Sequence, residues 1–189
     1  MASAVQQAFD AVPRALFLPN ALRHRAHVDL PLPLSHGQTN SQPSTVRAML
    51  ELLDVQPGHR VLDVGAGSGW TTALLAHLVG RNGQVIGVER IAHLALSARV
   101  SLEESGPWPQ ASVRVTTPGV LGVPECAPFD RILVSAEAAH VPPALVQQLD
   151  VGGIMVIPVD TVMIRVARRQ DGLRVTGHGR YAFVPLIED

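Results

Sequence analysis

Two carboxylates bracket the stretch of the chain best suited to chemistry. In Val61-Leu62-Asp63-Val64-Gly65-Ala66-Gly67-Ser68-Gly69-Trp70 an acid interrupts an apolar run that leads into glycines at 65, 67 and 69. Where a buried strand hands over to a helix, such a turn lets backbone approach a ligand closely. Asp63 needs partners inside an apolar strand, either a ligand's amino group or backbone donors that brace the turn. The second acid, Glu89, closes the run Val85-Ile86-Gly87-Val88, and 89 − 69 puts it 20 residues past the last glycine. A strand-end carboxylate at that separation can accept both hydroxyl protons of a ribose. A dinucleotide fingerprint would want a small residue at 70, where bulky Trp70 stands, and this disfavours a nicotinamide oxidoreductase. Trp70 is expected in the core, beneath the first helix, with a place bordering the cofactor cleft as the alternative.

Other polar side chains carry weaker signals. Thr39 and Ser41 precede Pro43 and would suit helix capping. His24, His27 and His36 match no metal-ligand spacing, so no metal site is expected. His140 is a candidate for contact with substrate, with an exposed surface position as the plainer alternative. Cys126 has no cationic neighbour in sequence and reads as an inert buried thiol.

The elements that must position these groups follow from periodicity. A short amphipathic helix over Ala4–Val12 and an extended proline-rich segment, Pro31–Leu34, form an N-terminal arm spanning 1–41, with a core over 42–189. A helix starts near Gln42, with Pro43 in its first turn, and ends before Pro57-Gly58. Strands Arg60–Val64, Gln84–Glu89, Ser112–Thr116 and Asp130–Ser135 then alternate with helices Trp70–Val79 and Ala92–Glu104, which implies a parallel sheet with crossover helices. A helix over Pro142–Leu149 precedes the strand Ile154–Val159. Two strands, Val162–Arg168 and Arg174–Phe183, joined at Asp171-Gly172, complete the chain.

The 189 residues fit a single domain. They are 47% hydrophobic but only 4% aromatic, so the core must be aliphatic, as in α/β proteins with buried parallel strands. A net charge of -1 gives no footprint for nucleic acid or an anionic membrane. All fifteen basic residues are Arg, which excludes a Schiff-base or P-loop lysine. One cysteine, no apolar run of spanning length and no signal-peptide pattern at the N-terminus point to a cytoplasmic protein.

The glycine turn and Glu89 match the first two motifs of methyltransferases with a Rossmann-like sheet, and the whole chain resembles the protein-L-isoaspartate O-methyltransferases. Ala11-Val12-Pro13-Arg14 with Phe17-Leu18-Pro19, Leu32-Pro33-Leu34, and Gly37-Gln38-Thr39-Asn40-Ser41-Gln42-Pro43 follow that family's N-terminal signatures. Phe129–Ala136, Val141-Pro142, Gln148-Leu149 with Gly152-Gly153, and Phe183-Val184-Pro185-Leu186 also fit. The resemblance implies a three-layer α/β fold whose seven-stranded, mostly parallel sheet has a terminal antiparallel strand. It implies S-adenosyl-L-methionine as cofactor, S-adenosyl-L-homocysteine as product, and isoaspartyl residues of damaged proteins as methyl acceptors. A monomer is expected, and the charge balance and lack of a spanning run argue against nucleic-acid and membrane partners. Thr39, Asn40, Ser41, Asp63, Gly65, Ala66, Gly67, Ser68, Gly69, Glu89, Arg90, Pro118 and Gly119 are then the cofactor contacts. Asp63 would meet the methionine amino group. Ser41 takes the active-site position as a donor that orients the carboxylate.

The chain departs from that family at several places. Thr117-Pro118-Gly119 stands where an Asp usually holds the adenine amino group; Pro118 offers neither side-chain acceptor nor backbone donor, so weaker cofactor affinity is expected. Asn40 replaces an apolar residue. Glu137 falls in the substrate loop, where it would repel an anion, bind a cation or point to water. The chain begins late, and Asp160-Thr161 shortens the loop before the last two strands, so a more open site is expected. These departures keep two alternatives in view: a relative that methylates a different carboxylate, and a cofactor-binding module without activity.

Overall fold

A computed structural model describes residues 2–188. The arm holds α1 (Ala4–Ala11), two 3-10 turns, and the paired two-residue strands β1 (Leu32–Pro33) and β2 (Thr39–Asn40). There follow α2 (Pro43–Leu53), β3 (Arg60–Val64), α3 (Trp70–Val79), β4 (Gln84–Glu89), α4 (Ala92–Ser105), β5 (Ala111–Val115), β6 (Phe129–Val134), α5 (Pro143–Gln148), β7 (Leu149–Val159), β8 (Val162–Arg169) and β9 (Gly172–Arg180). The last seven strands form one sheet in the order β5-β4-β3-β6-β7-β8-β9.

Pairings from β5 through β7 are all parallel, and those of β8 with β7 and β9 are antiparallel. The counter-running strand is therefore β8, next to the edge, and β9 returns in the direction of the parallel set. Asp160 and Thr161 turn β7 into β8 as a two-residue hairpin, both with positive φ (46° and 65°), the backbone a right-twisted hairpin demands. β9 was expected to run to Phe183. It stops at Arg180, because Tyr181 N–H turns to the carbonyl of Thr161 at 2.7 Å and the chain leaves the sheet.

Strand alternation sends successive side chains to two apolar layers. Val61, Val85, Val113, Leu133 and Val156 face a layer shared with α1 to α4, whereas Leu62, Val64, Ile86, Ile132 and Met155 face one closed by Leu145 and Leu149. α3 is buried nearly all round, since it sits on the sheet beneath α1 and beside α4. The arm is part of the first layer: Ala8, Val12 and Phe17 are buried with Trp70 and Leu74, at about 1.5–3 kcal/mol for each large side chain removed from water. Trp70 packs in this core, its ring edge-on to Phe9 and its indole N–H donating to the Val12 carbonyl at 3.2 Å, and it also borders the cleft at the carboxyl edge of the sheet.

The start of α2 is held from the arm. Asp29 Oδ1 accepts the Ser44 N–H at 2.8 Å and Oδ2 accepts from Gln42 Nε2 at 3.1 Å. The capping expected of Thr39 and Ser41 is not found, because Asp29 takes that place from across the arm. Backbone and side-chain donors together hold the Asp29 carboxyl below its usual value.

Candidate functional site

At the carboxyl edge of the sheet, between the arm, the glycine turn and the C-terminal tail, lies a cleft of about 570 Å³. β3 and β4 lie side by side in register, Val64 opposite Val88. The turn after β3 therefore emerges beside the end of β4, and the two acids can act on one loop. Glu89 does so directly: Oε2 accepts the Gly67 N–H at 3.0 Å and Oε1 accepts the Ile91 N–H at 2.9 Å. Gly65 N–H and Ala66 N–H both reach the Val88 carbonyl, at 2.9 and 3.0 Å. Gly65, Gly67 and Gly69 all have positive φ, a conformation that glycine adopts without strain. A Cβ on Gly69 would also come within 3.1 Å of the Ala98 carbonyl, so this glycine lets α3 pack against α4.

Asp63 braces the loop from behind, by a different route from that expected. It is fully buried, and Oδ2 accepts from the hydroxyls of Thr71 (2.8 Å) and Thr72 (2.7 Å) in the first turn of α3; no backbone donor is involved. Oδ1 has no partner among the described residues. Burial lifts the carboxyl to about 6, against the pull of the two threonine hydroxyls, and nearby Glu89 adds to the rise. Gly87 on β4 makes room, since a Cβ there would lie 2.7 Å from Thr72 Oγ1.

Of the residues expected to hold a cofactor, Thr39, Asn40, Ser41, Gly65, Ala66, Gly67, Ser68, Glu89 and Arg90 line the cleft. Asp63, Gly69, Pro118 and Gly119 do not. Asp63 and Gly69 lie behind the loop, while at the far end the wall is made by Thr116, Thr117, Val120 and Leu121 instead of Pro118-Gly119. Thr117 and Val120, which flank Pro118-Gly119, do line the cleft. Glu137 does not line it. Its backbone pins the tail, with its N–H on the Val184 carbonyl (2.8 Å) and its carbonyl taking the Leu186 N–H (2.7 Å). His140 is exposed and away from the cleft. Cys126 is only partly buried and has Arg114 Nη1 at 3.6 Å from its sulfur, so a cation does stand beside it, brought from β5.

Two parts of the site were missed in the sequence. Residues 180–188, from Arg180 to Glu188, form one side of the cleft. Phe183 to Leu186 were noted there only as matching motif residues. The other is Arg14, buried and outside the cleft. Its guanidinium donates to the carbonyls of Ala26, Val28, Leu30, Asn40 and Ser41 and to Asn40 Oδ1, so that it holds the arm and the Asn40-Ser41 segment together. Burial lowers Arg14 to about 10, with Asp29 opposing the shift; it stays charged at neutral pH. Arg14 entered the sequence reading only as part of a matching motif; a lone Arg in the apolar setting Pro13-Arg14-Ala15-Leu16-Phe17 was the further signal.

A glycine loop after one parallel strand, a strand-end acid on its neighbour that grips the loop, and this sheet order define a Rossmann-like methyltransferase. The sequence profile described as protein-L-isoaspartate(D-aspartate) O-methyltransferase matches residues 1–189, and the chain belongs to that family. It is 50% identical over 188 residues to the protein-L-isoaspartate O-methyltransferase of Methanopyrus kandleri, covering 97% of this chain and 83% of the relative. It is 44% identical over 190 residues to that of Ignicoccus hospitalis, covering 98% and 89%. Among solved structures it superposes on a Plasmodium falciparum protein described as a protein-L-isoaspartate O-methyltransferase in complex with S-adenosyl-L-homocysteine. There the TM-score is 0.89 at 25% identity, over 100% of this chain and 92% of the other.

Proposed function

We propose that this protein transfers a methyl group from S-adenosylmethionine to the α-carboxylate of L-isoaspartyl residues in damaged proteins, which permits their return toward aspartate through a succinimide. The observation that carries the reading is the Glu89 carboxylate on Gly67. It is fixed by two backbone N–H groups and opens on the cleft, and each oxygen keeps a lone pair for a ribose hydroxyl. The cofactor supplies an activated methyl group when bound. The remaining work falls to the chain's own residues.

Gly65 to Ser68 offer backbone and hydroxyl groups to the amino-acid end, Glu89 takes the ribose, and Thr116, Thr117, Val120 and Leu121 border the base. A carboxylate acceptor is already ionised at neutral pH and needs no general base. Methyl transfer to it cancels a pair of opposite charges, so walls poor in polar groups favour the reaction. Val46, Val64, Ala136, Val184 and Leu186 are such walls. Ser41 lines the cleft, its carbonyl is tied to Arg14 at 2.9 Å, and its hydroxyl is free to orient the acceptor carboxylate. The test is transfer of tritium from methyl-labelled cofactor to an isoaspartyl peptide and to its aspartyl twin. Label in the isoaspartyl peptide alone supports the reading; equal labelling of both, or of neither, refutes it.

A further inference from the structure

Arg14 and Asn40, both buried, and the half-buried Ser68 form a hydrogen-bonded chain whose direction is fixed by chemistry. Arg14 Nε lies 2.7 Å from Asn40 Oδ1, and Asn40 Nδ2 lies 2.9 Å from Ser68 Oγ. A guanidinium can only donate, so the Asn40 atom facing it must be the amide oxygen. The amide nitrogen then faces Ser68 and can only donate. Ser68 Oγ therefore accepts from Asn40, and its own proton must go elsewhere. Ser68 has no other hydrogen-bond partner among the described residues, and it lines the cleft.

No carboxylate lies within ion-pair distance of Arg14 among the described residues, and carbonyl oxygens satisfy the rest of its guanidinium. Its positive charge is solvated chiefly by dipoles, with Asp29 acting on it from beyond ion-pair distance. The aligned amide and hydroxyl carry that polarity to the cleft wall, as charge-assisted and cooperative hydrogen bonds do. The end of the relay is a hydroxyl donor in the loop whose preceding N–H, that of Gly67, is held by Glu89.

We infer that Arg14 and Asn40 are positioning residues that fix Ser68 as a hydrogen-bond donor to the amino-acid carboxylate of the cofactor. This rests on the cofactor assignment above. The donor role belongs to this chain's Asn40, because an apolar residue at 40 would leave the Ser68 hydroxyl free to turn either way. It also links the arm to the glycine loop through one guanidinium.

The test exploits the near-isosteric Asn40→Asp. An aspartate keeps the Arg14 contact but only accepts, so Ser68 must turn its proton toward residue 40 and show only lone pairs to the cleft. Calorimetric titration should compare S-adenosylmethionine with its decarboxylated analogue, which keeps the sulfonium and the amine. Asn40→Asp should weaken S-adenosylmethionine by about tenfold, as for loss of one charge-assisted hydrogen bond. Asn40→Leu should weaken it less, because the freed hydroxyl can still donate, and both should leave the analogue within about twofold. In a Ser68→Ala background, where the hydroxyl is already gone, Asn40→Leu, which brings no charge, should cost nothing more.

Equal losses for both ligands would mean a merely structural role and would overturn the inference, as would an unchanged Asn40→Asp or a further loss in the Ser68→Ala background. A rise in peptide KM with unchanged cofactor affinity would assign Ser68 to the substrate and equally overturn it. Native protein that binds neither ligand would instead bring down the cofactor assignment, and the relay with it.

Discussion

The side chain of Glu89 reaches back 22 residues and takes the backbone N–H of Gly67 on Oε2 at 3.0 Å. The acid that ends one strand thus shapes the loop that follows its neighbour, and loop geometry and ribose recognition depend on the same carboxylate. Glu89→Gln can keep at most one of the two backbone bonds, because its amide nitrogen cannot accept. Affinity for S-adenosylhomocysteine should fall by roughly tenfold to a hundredfold, at about 1.5–3 kcal/mol for each bond to a charged group, as measured by calorimetry. Unchanged affinity would contradict the Glu89 assignment.

Asp63 gives a pH dependence with a definite sign. Burial raises its folded-state pKa to about 6 from an ordinary 3.8. Between those values the native state holds a proton that the unfolded chain has released. The stabilisation from this group is therefore fully present below the unfolded value and is lost as pH rises through about 6. Relative to Asp63→Asn, the ligand-free native protein should lose on the order of 3 kcal/mol between about pH 4 and pH 7.5, from a shift near two units. Denaturant unfolding of both proteins across that range measures it. A constant difference would mean that the buried carboxyl does not titrate there.

Gly87 is required by packing and not by backbone conformation. In Gly87→Ala the new methyl would meet Thr72 Oγ1 at 2.7 Å and Ala66 Cβ at 3.2 Å. The substitution should destabilise by about 1–3 kcal/mol through overpacking and push the Thr72 hydroxyl off Asp63. Chemical denaturation reads the first effect. The second should appear as a higher Asp63 titration midpoint, since a donor to the charged form is lost.

Ser41 should separate binding from chemistry. Its backbone carbonyl, and not its hydroxyl, is tied to Arg14, so Ser41→Ala leaves the arm in place. Cofactor affinity should stay within about twofold, while kcat for an isoaspartyl peptide falls by roughly tenfold to a hundredfold through lost orientation. Steady-state kinetics with parallel calorimetry decides it. A large loss of cofactor affinity would move Ser41 out of the proposed role.

How much of this was legible in the sequence depended on the range of the interactions. The β3-loop-α3 unit and the acid of β4 showed themselves through local pattern: an apolar strand, glycines at alternate positions, a carboxylate at a fixed remove. The partners of Asp63 lay only eight and nine residues on, at Thr71 and Thr72, and those two hydroxyls, the only polar side chains of the helix besides His77, could have been noticed. Arg14 could not be placed, because its six contacts lie 12 to 27 residues away in a segment with little regular structure. The tail was misjudged for the opposite reason. Alternation through Phe183 looks like a continuing strand, and only the tertiary bonds of Tyr181 to Thr161 and of Val184 and Leu186 to Glu137 pull it onto the cleft.

The most direct test of the central claim, that the loop held by Glu89 grips an S-adenosyl nucleoside, is calorimetric titration of the native protein with S-adenosylhomocysteine. The account predicts saturable binding of one nucleoside per chain. It also predicts weaker binding of the analogue whose ribose lacks both hydroxyls, by roughly tenfold or more. No binding of S-adenosylhomocysteine, or equal affinity for the two ligands, would contradict it.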